Sequence, residues 1–188
     1  FDFSDSRDLL SFLIPGLYIA DKSSVRLRLD AKGLATARVK SPRIAYKDKF
    51  IKDMDASFSN SEGSLSGNIF GNLVNIGSKM SIDEARLSLY ADDDKFGIGF
   101  NYGESVEDGN DGEILTLGTL GRDKASDLSL QLRILPSGMR INSADWDIHE
   151  AELSIADGHI RIDGFGFSNG DQGISINGCI DSNGGDSL

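Results

Sequence analysis

The chain has 188 residues, 39% hydrophobic and 26% charged, which excludes wholesale disorder and suits a single all-β domain. Its formal net charge of -11 argues against nucleic acid and anionic membrane surfaces as partners, because both require basic residues that neutralise phosphates. The single cysteine, Cys179, cannot form an internal disulfide, and we interpret it as a small, half-buried strand residue.

The first predicted element is a short helix at about residues 5–14. Ser4 or Ser6 can cap its first turn, apolar residues recur along it at helical spacing, and Pro15 with Gly16 ends it. We expect this helix to cap the end of a sheet. The sequence opens without an initiator Met, so it is interpreted as an excerpt of a larger protein whose anchor lies outside it.

After Asp21 a period of two replaces the helical period, which predicts strands in series. They are predicted near 24–30, 34–40, 43–47, 50–59, 64–71, 84–91, 95–102, 113–120, 127–134 and 138–148, with three more before about residue 181. Short turns and the lack of helical crossovers favour an antiparallel meander. The acidic, Gly-rich segment 103–113 is predicted to be a mobile loop.

The last third alternates most regularly and predicts one apolar strand face. Its members are Trp146, Ile148, Leu153, Ile155, Ile160, Ile162, Phe165, Phe167, Ile174, Ile176 and Ile180. The opposite, polar set is Asp147, Glu152, Ser154, Arg161, Asp163, Ser175 and Asn177. The parity shifts by one at Gly164, which predicts a glycine bulge.

A meander with one apolar face can pack as a two-sheet sandwich, close into a barrel, or curl into a trough that holds another apolar body. Periodicity alone does not choose among these folds. The strands follow one another without long Greek-key returns, and no turn brings the chain back over the last strand. Both features favour the trough.

The stretch WDIHEAELSIADGHIRIDGFGFSNGDQGISINGCI resembles the AsmA/TamB family of bacterial envelope proteins, most closely over residues 144–181. Besides the apolar face, the matching positions are Gly158, Asn169, Asp171, Gln172 and Gly178. The resemblance implies an open β-groove, or β-taco, that holds phospholipid acyl chains. It also implies a periplasmic location in a diderm bacterium, an inner-membrane anchor, and an outer-membrane barrel-assembly partner that binds parts outside this sequence.

Signals for chemistry are weak. The acidic stretches 91–94 and 108–113 lack the ligand spacing of a calcium loop, and we interpret them as solvated. Neither His149 nor His159 has a ligand or nucleophile partner at a recognisable spacing, so we expect neither an enzyme nor a cofactor.

Two functions of different classes follow. The leading hypothesis is a segment of a lipid conduit between the inner and outer membranes, in which the apolar face solvates acyl chains. The alternative is a cell-surface β-sandwich for adhesion or glycan binding, in which the same face forms an ordinary core.

Overall fold

The computed structural model describes residues 2–3, 14–61, 63–77, 80–103, 110–122 and 127–181. These residues form strands and turns and contain no helix, as the all-β prediction requires. The predicted helix at about 5–14 lies outside them except for Ile14, whose carbonyl accepts a hydrogen bond from the Leu17 amide in a turn. Most of the predicted mobile loop also lies outside them, but its last residues, from Asp111 onward, are the start of a strand.

The chain divides into two compact units, and the single elongated segment expected from the sequence stays a prediction. The first unit comprises Phe1–Tyr90 and Asn101–Glu104, and the second comprises Ala91–Phe100 and Ser105–Leu188. No Pro-rich or low-complexity linker separates them, because the boundary falls within two strands. Composition therefore could not reveal it.

The first unit is an antiparallel meander. Its strands are β1 (Asp2–Phe3), β2 (Leu17–Ile19), β3 (Ser23–Leu29), β4 (Ala35–Tyr46), β5 (Lys49–Ser61), β6 (Ser64–Gly77) and β7 (Met80–Asp92), the last of which ends in the second unit. The spatial order is β1-β3-β4-β5-β6-β7, and β2 pairs with β4 beyond β3. Strand β2 was not predicted, because its three residues are too few to show a period.

The second unit continues the same pattern. Its strands are β8 (Lys95–Tyr102), whose last two residues belong to the first unit, β9 (Asp111–Arg122), β10 (Leu128–Ile134), β11 (Ser137–Ile141), β12 (Ala144–Ile148), β13 (Ala151–Ala156), β14 (His159–Asn169) and β15 (Gln172–Asp181). Both β10 and β11 pair with β9, while both β12 and β13 pair with β14, so each pair acts as one interrupted strand. The final strand, β15, pairs with β14.

One predicted strand, 138–148, is wrong: it is the hairpin of β11 and β12. Asn142 and Ser143 both have positive φ, 51° and 61°, which is the backbone of a two-residue hairpin turn. The apolar positions change parity here, from Met139 and Ile141 to Ala144 and Trp146, with two polar residues between them. The sequence therefore carried a signal of the turn that the prediction of one strand overlooked.

A transverse line of irregularities, here called a crease, crosses each unit. In the first unit the ladder between β4 and β5 skips Pro42 and Asp53, and Asp53 has a φ of 48°. In the second unit the breaks between β10 and β11 and between β12 and β13 lie beside Gly164, where the β14–β15 register shifts. Gly164 has a φ of 75°, and a Cβ there would lie 3.0 Å from the Glu150 carbonyl. The predicted bulge is therefore confirmed.

Candidate functional site

One group of apolar residues of the second unit lies on one face of its sheet, on the side of the crease that carries the β13–β14 turn, here called below the crease. Cross-strand pairing aligns Leu120, Leu130, Ile155, Ile160 and Ile180 in one row across five strands. The adjacent row on the same face is Gly118, Leu132, Leu153, Ile162 and Gly178. These rows contain five of the eleven residues predicted for the apolar face.

The other six lie above the crease. Ile148 pairs with Phe167, which pairs with Ile174, and Phe165 pairs with Ile176. Trp146 alternates onto the face of Ile148, and its ring centroid is 5.4 Å from that of Phe167. Aromatic contacts of this kind stabilise neighbouring strands.

The apolar residues below the crease and those above it lie on the same face of the sheet, as strand β9 shows. It runs from Asp111 to Arg122 without a positive φ, so Gly112 and Gly118 point the same way by regular alternation. Gly118 pairs with Leu132 below the crease, while Gly112 pairs with Met139, the partner of Trp146, above it. The register thus brings all eleven predicted residues to a single face, here called the apolar face of the second unit.

This apolar face is only partly covered. Of the eleven residues, Ile148 alone is buried, at 5% exposure, while Ile176 is 39% and Ile174 55% exposed. Leu128, on the same face, is 69% exposed. The described residues include no large side chain that is fully buried. A second sheet packed on this face would bury it more completely than this.

The opposite face carries paired charges. Arg133 lies opposite Glu152, which lies opposite Asp163, and the Arg133 guanidinium also forms an ion pair with Glu150. Arg133, Glu152 and Asp163 line a depression of about 530 Å³, together with Leu117, an apolar residue on this polar side. This polar face thus carries charges of both signs, which favours solubility over recognition of one charge sign.

The first unit has its own apolar face, which the sequence analysis left out of the site. Val25, Leu27 and Leu29 pair with Val39, Ala37 and Ala35, and Ala37 pairs with Phe58. Leu27 and Leu29 are 73% and 75% exposed, and they line a depression of about 580 Å³ with Phe58 and Leu65. The alternation in SSVRLRL carried the signal for this second patch.

An ion-pair network lies on the polar face of the first unit. Arg38 Nη2 and Nε donate to the two carboxylate oxygens of Asp55 at 2.7 and 3.2 Å, and Lys40 Nζ lies 3.1 Å from Asp55 Oδ2. The hydrogen bonds from Arg38 lower the pKa of the Asp55 carboxyl, burial opposes this, and Lys40 lowers it further. The same pairing raises the pKa of Arg38.

One contact resembles a nucleophile–base pair. His149 Nε2 lies 2.8 Å from Ser168 Oγ, on the polar side of the second unit. Activation of a serine also needs a group that orients the histidine, usually a carboxylate on the other ring nitrogen. Among the hydrogen bonds described for His149, none joins its ring to a carboxylate. The described residues also contain no cluster of three His, Cys, Asp or Glu side chains suited to a metal ion.

Cys179 is a free, half-covered thiol on β15, and its backbone pairs with Arg161 on the polar side. Within the ranges that the structure describes, no helix is long and apolar enough to cross a bilayer. No protein-family model, curated protein or solved structure matches the chain.

Proposed function

We propose that this protein is a lipid-binding segment whose apolar sheet faces hold phospholipid acyl chains. The observation that supports the proposal is that the apolar face of the second unit is partly exposed, although strand pairing aligns its apolar side chains in rows. Contact with hydrocarbon is worth roughly 25 cal/mol per Å² and has no directional requirement. Such a surface suits chains that bind weakly and slide.

The proposal extends to the role expected from the family resemblance. The apolar sheet faces would line the groove of a lipid conduit that crosses the periplasm between the inner and outer membranes. This role requires neither a chemical reaction nor a cofactor. Support for a groove wall over a sandwich core comes from Ile174 and Ile176, which a covering sheet would bury. Phospholipids are the partner that this chemistry favours, because they present long apolar chains at high abundance.

Site-specific photo-crosslinking tests the proposal. A photoreactive residue replaces Ile176, on the apolar face, and in a second variant replaces Ser175, the next residue along β15, which pairs with Gly166 on the polar face. Each full-length variant is illuminated in envelopes of a diderm bacterium and in vesicles of phosphatidylethanolamine with phosphatidylglycerol. We expect phospholipid adducts at position 176 and few at position 175.

Equal capture at both positions would indicate non-specific labelling and would overturn the proposal. Capture of protein alone at position 176 would instead favour the sandwich alternative, in which another polypeptide layer covers the face. Because the two positions are adjacent on one strand, a difference in depth cannot explain a difference between them, and capture is compared at equal amounts of each variant.

A further inference from the structure

The polar face of the first unit carries a concentration of positive charge that the net charge conceals. Residues 21–61 contain ten Lys and Arg against five Asp and Glu, although the whole chain contains 19 and 30. Arg26 and Arg28 alternate onto the polar side of β3, and Arg26 lies directly opposite Arg38 on β4. Like charges placed opposite each other across a ladder destabilise a sheet.

Nearby carboxylates do not balance this charge. Both oxygens of Asp55 are already taken by Arg38, and Lys40 shares one of them. Within the described part of the chain, no carboxylate forms an ion pair with Arg26 or Arg28, and both side chains are exposed. The polar face of the second unit differs, because Arg133 there has Glu152 opposite and Glu150 as its ion-pair partner.

Hydroxyl and amide groups surround the arginines. Pairing continues from Arg38 to Ser57 and Asn68, and from Arg28 to Thr36, Ser59 and Ser66. Together these side chains line a depression of about 470 Å³. Guanidinium groups bind tetrahedral oxyanions through two parallel hydrogen bonds, and hydroxyls can donate to the remaining oxygens.

We propose that the surface formed by Arg26, Arg28 and Arg38 binds a phosphate group. The group would come from a phospholipid head or from a soluble phosphate compound, and the chemistry of recognition is the same for both. The depression lined by Leu27, Leu29, Phe58 and Leu65 lies on the apolar side of the same strands, β3, β4 and β5, and of their neighbour β6. The phosphate site does not depend on the acyl-chain proposal, since it uses the opposite face of the sheet.

Binding to two probes tests the site and separates the two sources. The full chain is titrated with inorganic pyrophosphate by calorimetry, and it is sedimented with phosphatidylcholine vesicles that contain or lack phosphatidic acid. At about 0.15 M salt the Debye length is near 8 Å, so distant acidic residues repel the probes little. Binding of pyrophosphate supports a soluble ligand, and binding only to the phosphatidic acid vesicles supports a lipid head.

Three variants make the test specific. We expect Arg26→Gln with Arg28→Gln to weaken binding of the responsive probe by about tenfold or more, the loss typical of charged hydrogen bonds. The matched control, Arg133→Gln with Arg161→Gln, removes the same charge from the polar face of the second unit and should change affinity by less than about twofold. Asp55→Asn should tighten binding, because it frees Arg38 and Lys40.

An equal loss in both double variants would show a general charge effect and would overturn the proposal. Failure of the unmodified chain to bind either probe would do the same. Circular dichroism and melting of each variant show whether the fold is intact. We expect unchanged spectra and at most small changes in melting, including for Asp55→Asn, which loses its ion pairs with Arg38 and Lys40. Neither success nor failure of phosphate binding affects the lipid crosslinking expected at Ile176, because Ile176 lies in the second unit.

Discussion

Neighbouring residues on one apolar row differ sharply in their contact with water. Ile148 and Ile174 both pair with Phe167, on opposite sides of β14, yet Ile148 is 5% and Ile174 55% exposed. The row therefore offers a matched pair of positions that share chemistry and a common neighbour. Because one is buried and the other exposed, substitutions at these two positions test whether the apolar face is open to water in solution.

We expect Ile148→Asp to abolish cooperative unfolding and Ile174→Asp to cost only about 1 kcal/mol. The first places an unpaired carboxylate among apolar groups, which costs a large part of a typical folding free energy of about 5–15 kcal/mol. The second carboxylate stays hydrated, so the loss is limited to the partial contacts of the isoleucine. Urea unfolding at pH 7 measures both.

A severe loss in Ile174→Asp as well would show that another layer covers position 174 in solution. That outcome would count against the acyl-chain proposal and for a sandwich.

The Asp55 network predicts a pH dependence of stability. Because Arg38 and Lys40 hold the pKa of Asp55 below its ordinary value of about 3.9, the network stabilises the fold above that value. This contribution is lost as the pH falls through the lowered pKa. The wild-type chain should be slightly more stable than Asp55→Asn at pH 7, since exposed ion pairs contribute little. The difference should disappear at about pH 2 in paired denaturant titrations.

A difference in stability that persists unchanged at low pH would show that Asp55 acts through packing or neutral hydrogen bonds. High salt at neutral pH provides an independent control, because it screens the ion pairs without protonating the carboxylate.

At the level of strands, a phenylalanine ring covers a glycine on a neighbouring strand in each unit. Phe58 covers Gly67, its direct partner, and a Cβ on Gly67 would lie 2.6 Å from the ring. Phe96 on β8 covers Gly118 on β9 in the same way, and its ring would lie even closer to a Cβ on Gly118. Aromatic cover of this kind compensates for the weak packing of a strand glycine and fixes the register.

We expect Gly118→Ala to destabilise the second unit by about 1–2 kcal/mol, because the Phe96 ring has to move away from the added methyl group. Gly97→Ala is the matched control: it lies next to Phe96, and its Cβ would meet Leu117 at an ordinary 3.7 Å. Thermal melting of the two variants should show a loss for Gly118→Ala and little change or a gain for Gly97→Ala. If the two variants melt alike, the ring does not hold the register.

The elements were predictable where alternation was regular and hidden where the backbone departs from it. Strand β8 was predicted with its observed bounds, and Gly164 marked a real shift of register. Pro42 divided a predicted pair of strands that are in fact one, β4, because the ladder to β5 skips the proline and needs no amide from it. Asp53 gave no sign of its positive φ, a conformation that aspartate adopts more readily than most residues but that the sequence pattern does not mark.

For the whole molecule, the period of the apolar residues predicted the class of fold, but composition did not predict the distribution of charge. A net charge of -11 describes an average, whereas pairing of β3, β4 and β5 collects arginines on one surface. The apolar face was predictable in the second unit because four successive strands, β12 to β15, share one period. In the first unit the exposed Leu27 and Leu29 were missed, since single strands do not show which neighbours they join.

The creases have a consequence for the behaviour of the chain in crowded solution. Long strands rich in apolar residues, such as β5 and β6, are templates for stacking with other chains into fibrils. A residue with positive φ in mid-strand, such as Asp53 in β5 or Glu84 in β7, interrupts the flat backbone that a stacked fibril repeats. Each of these residues also carries a charge, which would be repeated every 4.7–4.8 Å in such a stack and would repel itself. We therefore expect these interruptions to protect the exposed apolar faces against aggregation.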